Sequence, residues 1–169
     1  MKKIIFITGV NGAGKTSVMA PLKSLLGPDF ELHDFDERGV PDNVDRQWRI
    51  EETKHWVDLG LQNIKNNITT LICGFARPSE IAGNESIEFI LLDADHDTIK
   101  QRLAKRYQSP HSVAVIEKVS GKLLEKFIAD NVYFSDILRK ECEGHHTTII
   151  DTNNLAPENV AEQIAALVK

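Results

Sequence analysis

The sequence is poor in cysteine, in net basic charge and in long apolar runs, and each shortage removes a class of protein. Only Cys73 and Cys142 occur among 169 residues, and neither belongs to a CxxC pair. A disulfide framework or a structural zinc site has no basis here, and a reducing, cytoplasmic setting is the expectation. Lysine and arginine total 20 against 25 aspartates and glutamates, a net charge of −5. That balance argues against a nucleic-acid or anionic-membrane binder, whose surface carries a basic excess. No apolar run approaches the roughly 18 residues of a membrane span. Residues 1–8 have a short signal-like look, yet their apolar stretch runs into a glycine-rich turn and not into a small-residue cleavage site. Repeats, low-complexity tracts and Pro/Ser linkers are missing too, so one domain over 1–169 is expected.

What remains is an ordinary globular mixture, 41% hydrophobic and 27% charged, long enough to bury a core. Five apolar runs read as strands, at 3–8, 30–33, 69–73, 87–92 and 147–151. Their near-continuous Ile, Leu and Phe content suits strands buried on both faces of a parallel sheet. Helix-length segments lie between them, at 15–26, 43–68, 98–107, 112–130, 133–141 and 157–168. In the second, Val44, Trp48, Trp56, Leu59 and Ile64 recur at helical spacing. Pro157 suits a helix start, whereas Pro21 should remove a hydrogen bond and kink the first helix. Alternating strand and helix is the pattern of an α/β layer fold with right-handed crossovers.

The strongest local signal is Gly9-Val10-Asn11-Gly12-Ala13-Gly14-Lys15-Thr16, which fits G-x-x-x-x-G-K-[ST] between a buried strand and a helix. Glycines let backbone N–H groups turn inward around a polyphosphate, and the helix N-terminus adds its positive dipole end. Gly9, Asn11, Gly12, Ala13, Gly14, Lys15, Thr16 and Ser17 are therefore the expected nucleotide contacts. Lys15 would reach the β- and γ-phosphates, and the Thr16 hydroxyl would coordinate Mg²⁺. The rest of the chain narrows the class. Asp36-Glu37-Arg38-Gly39 matches the loose D-x-x-G of GTPases, but no Asn-Lys-x-Asp sequence follows. The third strand ends Leu71-Ile72-Cys73-Gly74 and not in the Asp-Glu of AAA ATPases, which also need a longer chain. A compact phosphotransferase remains.

At this point the sequence resembles the nucleoside-monophosphate-kinase-like group of P-loop kinases, which includes adenylate, shikimate and gluconate kinases. The resemblance follows element order along the whole chain and is specific at four places. Beyond the P-loop, Asp34-Phe35-Asp36 is similar to the Asp-x-Asp of shikimate-kinase-like enzymes. The resemblance implies that one carboxylate holds Mg²⁺ and that another accepts the proton of an acceptor hydroxyl. Carboxylates at the carboxyl edge of a parallel sheet also lie where open α/β folds bind ligands. Gly74-Phe75-Ala76-Arg77 looks like the Asp-Gly-Phe-Pro-Arg segment of adenylate kinases, which implies that Arg77 grips phosphoryl oxygens. Cys73 stands where that family has its leading aspartate, so metal holding falls to Asp34 or Asp36. Arg102-Leu103-Ala104-Lys105-Arg106 is similar to the Arg-x-x-x-Arg that opens the family's lid. By that resemblance Arg102 lies near the adenine and Arg106 contacts the phosphates. The lid, about 106–113, is short and lacks the further arginine and aspartates of adenylate kinases. Residues 151–157 follow the fifth strand, where the group's adenine-contacting loop lies.

The helical segment at about 37–68 would bind the acceptor. Arg46, Trp48, Arg49 and His55 are candidate lining residues, while Trp56 reads as core; Asp34, Asp36 and Arg77 complete the expected acceptor contacts. His145 and His146 read as exposed polar positions, and Cys73 and Cys142 as structural. We therefore expect a three-layer α/β P-loop fold with a five-stranded parallel sheet of order 2-3-1-4-5, helices on both faces and a short lid. The expected activity is transfer of the γ-phosphoryl of ATP to a small-molecule acceptor, with Lys15, Asp34, Arg77 and Arg106 catalytic and Thr16 and Asp36 on Mg²⁺. Nucleic acid, membrane and an obligatory protein partner are not expected. Two alternatives stand beside it, a nucleoside-monophosphate kinase and a nucleotide-binding ATPase or switch without an acceptor. The carboxylate pair leans toward an alcohol, and Arg77, Arg46 and Arg49 lean toward a phosphate.

Overall fold

A computed structural model describes residues 1–42, 44–81, 85–145 and 147–169. Its centre is β1 (Ile4–Thr8), whose five residues are all buried. β1 pairs in parallel with β3 (Thr69–Cys73) on one side and β4 (Ile87–Asp93) on the other. The edges are β2 (Phe30–Asp34) beside β3 and β5 (Thr148–Asp151) beside β4, also parallel. The strand order is β2-β3-β1-β4-β5, as the sequence leads one to expect.

Strand side chains alternate between faces, and the core divides accordingly. Ile5 and Ile7 pack with Val18, Leu22, Leu91 and Ile164, drawn partly from α1 (Lys15–Leu25) and α6 (Pro157–Val168). Ile4 and Phe6 face the other way, against Ile72, Phe35 and Trp56 of α2 (Arg46–Lys65). Trp56 is core, as its place in the apolar stripe implies. With both faces of β1 covered, its polar neighbours gather at the loops beyond the strand ends.

Helix limits follow local chemistry more closely than apolar periodicity. Asp45 caps α2 by accepting from the Trp48 N–H, which starts the helix at Arg46; the expected start at Asn43 lies outside the described residues. Pro21 sits inside α1, and the helix continues past it to Leu25. α3 (His96–Arg106) begins under an Asp95 cap. The expected helices at 112–130 and 133–141 are corrected. α4 spans Pro110–Ser120, opened by a Ser109/Ser112 capping box, and α5 spans Leu124–Gly144 without a break at 130–133. The break falls at Gly121, whose left-handed backbone (φ 66°) ends α4. Asn131, which looks like a helix breaker, instead sits buried in α5 and donates from Nδ2 to the Phe127 carbonyl. His145 caps the end of α5 at the surface, and His146 lies outside the described residues.

One contact fixes the end of β3. A Cβ on Gly74 would lie 2.0 Å from the Cβ of Phe35, an atom at the root of a buried side chain that cannot move without its backbone. Gly74→Ala should therefore destabilise the protein by about 3 kcal/mol or more. Urea unfolding with an unchanged m-value would measure the loss.

Candidate active site

A cleft of about 1010 Å³ opens at the carboxyl ends of β1, β2 and β3. One wall is the P-loop. Gly12 (φ 89°) and Gly14 (φ 106°) adopt left-handed backbone, and Gly14 caps α1, so the chain turns tightly and then enters the helix. Lys15 folds back over the loop, donating from Nζ to the carbonyls of Gly9 (2.6 Å) and Val10 (2.9 Å). Burial above all pushes its amine down to about 8, opposed by Cys73, Asp36 and Asp34 and aided by the Arg106 guanidinium. Thr16 and Ser17 lie exposed on the first turn of α1, facing the cleft. The loop tip is tied from a distance: Asn11 donates from its backbone N and from Nδ2 to Oδ1 of Asn131.

Arg102 fastens the far end of this wall. Its Nη1 donates to the Gly12 carbonyl (3.1 Å) and to Oγ1 of Thr152 (3.0 Å), and its Nη2 donates to the Thr152 carbonyl. Thr152 in turn donates from Oγ1 to the Ala13 carbonyl. Leu103, Leu155 and Val160 line the cleft beside this clamp and make an apolar slot. Arg102 thus positions the loop after β5 beside the P-loop.

The opposite wall grows from Phe35, the middle residue of Asp34-Phe35-Asp36. Phe35 is buried; its N–H donates to the Cys73 carbonyl, and its carbonyl accepts from the Trp56 indole. This peg sets Asp34 and Asp36 at the cleft, where Oδ1 of Asp34 accepts from the Asp36 N–H (2.9 Å). Burial raises the Asp36 carboxyl above its ordinary range, and the neighbouring Asp34 charge raises it further. Cys73, beside them, is a neutral thiol pushed up to about 12 by burial. Trp48, edge-on to Phe35, also lines this wall, as do Arg49 and Phe75.

Not every candidate converges. Arg106 lines the cleft, its guanidinium 5.6 Å from the Tyr107 ring. Arg77 is outside the lining and donates from Nε and Nη2 to Oε2 of Glu141 (2.9 and 2.6 Å). Arg46 is exposed outside the cleft, 3.7 Å from Glu80. His55 packs against Trp56, also outside. Sequence reasoning missed Asn131, Glu80, Glu141 and Thr8, whose hydroxyl donates to the Ala76 carbonyl and accepts from the Ala76 N–H. None carries a local motif, since each acts across a gap of many residues. α5 meets three strand-end loops: Asn131 holds the P-loop, Arg139 pairs with Asp93 at the end of β4, and Glu141 holds Arg77 and the Ser79 N–H beyond β3.

Magnesium needs hard oxygen donors, and the cleft supplies them. The Thr16 hydroxyl has no hydrogen-bond partner among the described residues, and the Asp34 and Asp36 carboxylates stand on the facing wall. No group of three or more His, Cys, Asp or Glu forms a ready metal cage among the described residues. That suits an ion held by one or two side chains together with nucleotide phosphates.

The fold is similar to that of several solved kinases. A shikimate kinase from Acinetobacter baumannii, solved with shikimate, superposes with a TM-score of 0.57 at 20% identity, over 99% of this chain and 93% of the other. A sugar kinase from Janibacter gives 0.56 at 17% identity, covering 98% and 94%. Thymidylate kinase from Candida albicans gives 0.55 at 12% identity, covering 99% and 91%. These likenesses define the fold. No family model and no curated protein matches the sequence. No helix among the described residues is long and apolar enough to cross a membrane.

The depressed Lys15 amine has a measurable consequence. It loses its proton as pH rises through about 8, whereas a bound triphosphate favours the charged form. Just above that pH, ATP binding should take up a proton, and affinity should fall as pH climbs. Calorimetry in two buffers of different ionisation enthalpy reads the proton directly, and Lys15→Met should abolish the uptake.

Proposed function

We propose that the chain is an ATP- and Mg²⁺-dependent kinase of a small molecule. One observation carries this reading: Lys15 and Arg106, two cations without an ion pair among the described residues, converge on one cleft whose facing wall holds Asp34 and Asp36. Phosphoryl transfer is achieved by positioning and charge neutralisation more than by covalent chemistry. The P-loop and Lys15 hold the polyphosphate, and the apolar slot beside Arg102 receives the base. Arg106 neutralises charge on the moving group. Mg²⁺, when bound, supplies further neutralisation of the β- and γ-phosphates. The acceptor oxygen forms a bond to the γ-phosphorus while the bond to the β–γ bridging oxygen breaks. ADP leaves with that electron pair, and the hydroxyl proton passes to a carboxylate and then to water.

The raised proton affinity of Asp36 favours it as the acceptor of that proton. Asp34, with Thr16, is then the metal-holding carboxylate. The sequence alone leaves open which of the two carboxylates takes which duty. Arg77, paired with Glu141 outside the cleft, takes no part in this reading except as an anchor of the loop after β3.

The test uses γ-labelled ATP, Mg²⁺ and a panel of nucleosides, nucleoside monophosphates, sugars, sugar acids and aminoglycosides. Label should appear on an acceptor, and Lys15→Ala should cut that transfer about 10³-fold without changing the circular dichroism. Label released only as free phosphate, at a rate no acceptor changes, would sink the reading. Asp36→Asn should lower kcat about 10²-fold at saturating Mg²⁺. Asp34→Asn should instead raise the Mg²⁺ concentration needed for half-maximal rate.

A further inference from the structure

Three arginines of the segments that follow β2 and β3, Arg38, Arg49 and Arg77, are each engaged by a carboxylate. Arg49 is the one that lines the cleft. Its Nε donates to Oε2 of Glu80 (3.2 Å) and its Nη2 to Oε1 (3.0 Å), the two-point geometry that pairs one edge of the guanidinium, and its charge, with a carboxylate. Its guanidinium carbon also lies 5.7 Å from the centre of the Phe75 ring, which holds the plane in place. Glu80 is largely buried, with 13% of its side chain exposed, so water does not loosen the pair freely. Arg38 is likewise bound to the buried Glu52 (3.1 Å), and Arg77 to Glu141. Arg46 shares Glu80 but points into solvent, 75% exposed and outside the lining. The cleft's other cations, Lys15, Arg102, Lys105 and Arg106, belong to the P-loop helix and to α3, so the charges the acceptor wall itself presents are the carboxylates of Asp34 and Asp36. The remaining surfaces there are the indole of Trp48 and the side chains of Phe75, Val40 and Val44.

We infer that the acceptor is a hydroxyl compound without a phosphate or carboxylate group, neutral or amino-bearing, with a flat or apolar face for Trp48, and that Glu80 sets this preference by occupying Arg49. The inference rests on the phosphotransfer reading and decides between the alcohol and the monophosphate that the sequence leaves open. An anionic acceptor would have to displace Glu80 from Arg49 and approach two carboxylates. Like charges brought together at a binding surface cost several kcal/mol, enough for about a 100-fold preference. Glu80 is a positioning residue, because it acts on the acceptor only through Arg49.

The experiment compares matched pairs: thymidine with thymidine monophosphate, glucose with gluconate, and glucosamine with glucosamine 6-phosphate. Binding of each to protein loaded with Mg²⁺ and a non-hydrolysable ATP analogue is measured by calorimetry, and transfer from γ-labelled ATP is measured alongside. The neutral or amino-bearing member of the best pair should bind about 100-fold more tightly than its anionic partner. Glu80→Gln should narrow that ratio at least about tenfold by improving the anionic member, with KM for ATP unchanged, while Glu80→Asp should keep the ratio. Tighter binding of the anionic members, binding of neither, or a ratio indifferent to Glu80→Gln would overturn the inference. Selective binding of the neutral member without transfer would support it and overturn the phosphotransfer reading instead.

Discussion

Complete burial of β1 on both faces is the constraint from which the rest of the molecule follows. A strand with no side chain in water needs a layer of helices above and below, and parallel neighbours need crossovers to supply those layers. Every polar group with chemistry to perform is thereby driven to the loops at one end of the sheet. Lys15, Asp36 and Cys73 are neighbours for this reason although they come from three different strand–helix junctions. The apolar centre does not merely support the cleft; it determines where a cleft can be.

Within that cleft the electrostatics are deliberately unbalanced. Four arginines elsewhere in the protein meet carboxylates: Arg49 with Glu80, Arg38 with Glu52, Arg77 with Glu141, Arg139 with Asp93. Lys15 and Arg106 stand apart from this pattern, satisfied by backbone carbonyls or by a ring. Asp34 and Asp36 repel one another at the facing wall. Unpaired like charges cost stability, and functional sites are where proteins carry that cost. In the phosphotransfer reading proposed above, a triphosphate with its metal ion would relieve both walls together, bringing negative charge to the cations and positive charge to the carboxylates.

The sequence discloses what is local. The P-loop is legible because strand, glycines, lysine and helix start lie in one short segment, and Asp34-Phe35-Asp36 is legible because it ends a strand. Trp56 is legible from its spacing. The split between α4 and α5 is not, because a run of good helix formers conceals Gly121, and Asn131 resembles a breaker while serving as a buried tether. Arg77 matches a phosphate-gripping arginine in its own segment, yet its partner Glu141 lies 64 positions away. Glu80 carries no motif at all, and its importance appears only when Arg49 folds against it. Long-range pairing of charges decides which arginines remain available, and no spacing rule records it.

α5 gives the site a property that no single loop has. Asn131, Arg139 and Glu141 hang from one rigid rod, at heights set by a rise of about 1.5 Å per residue. The attachment points for the P-loop and the β3 loop are therefore about 15 Å apart along the rod, a separation neither loop can alter alone. The helix works as a ruler laid across the mouth of the sheet: the span between the P-loop and the loop after β3 is set by counting residues along α5.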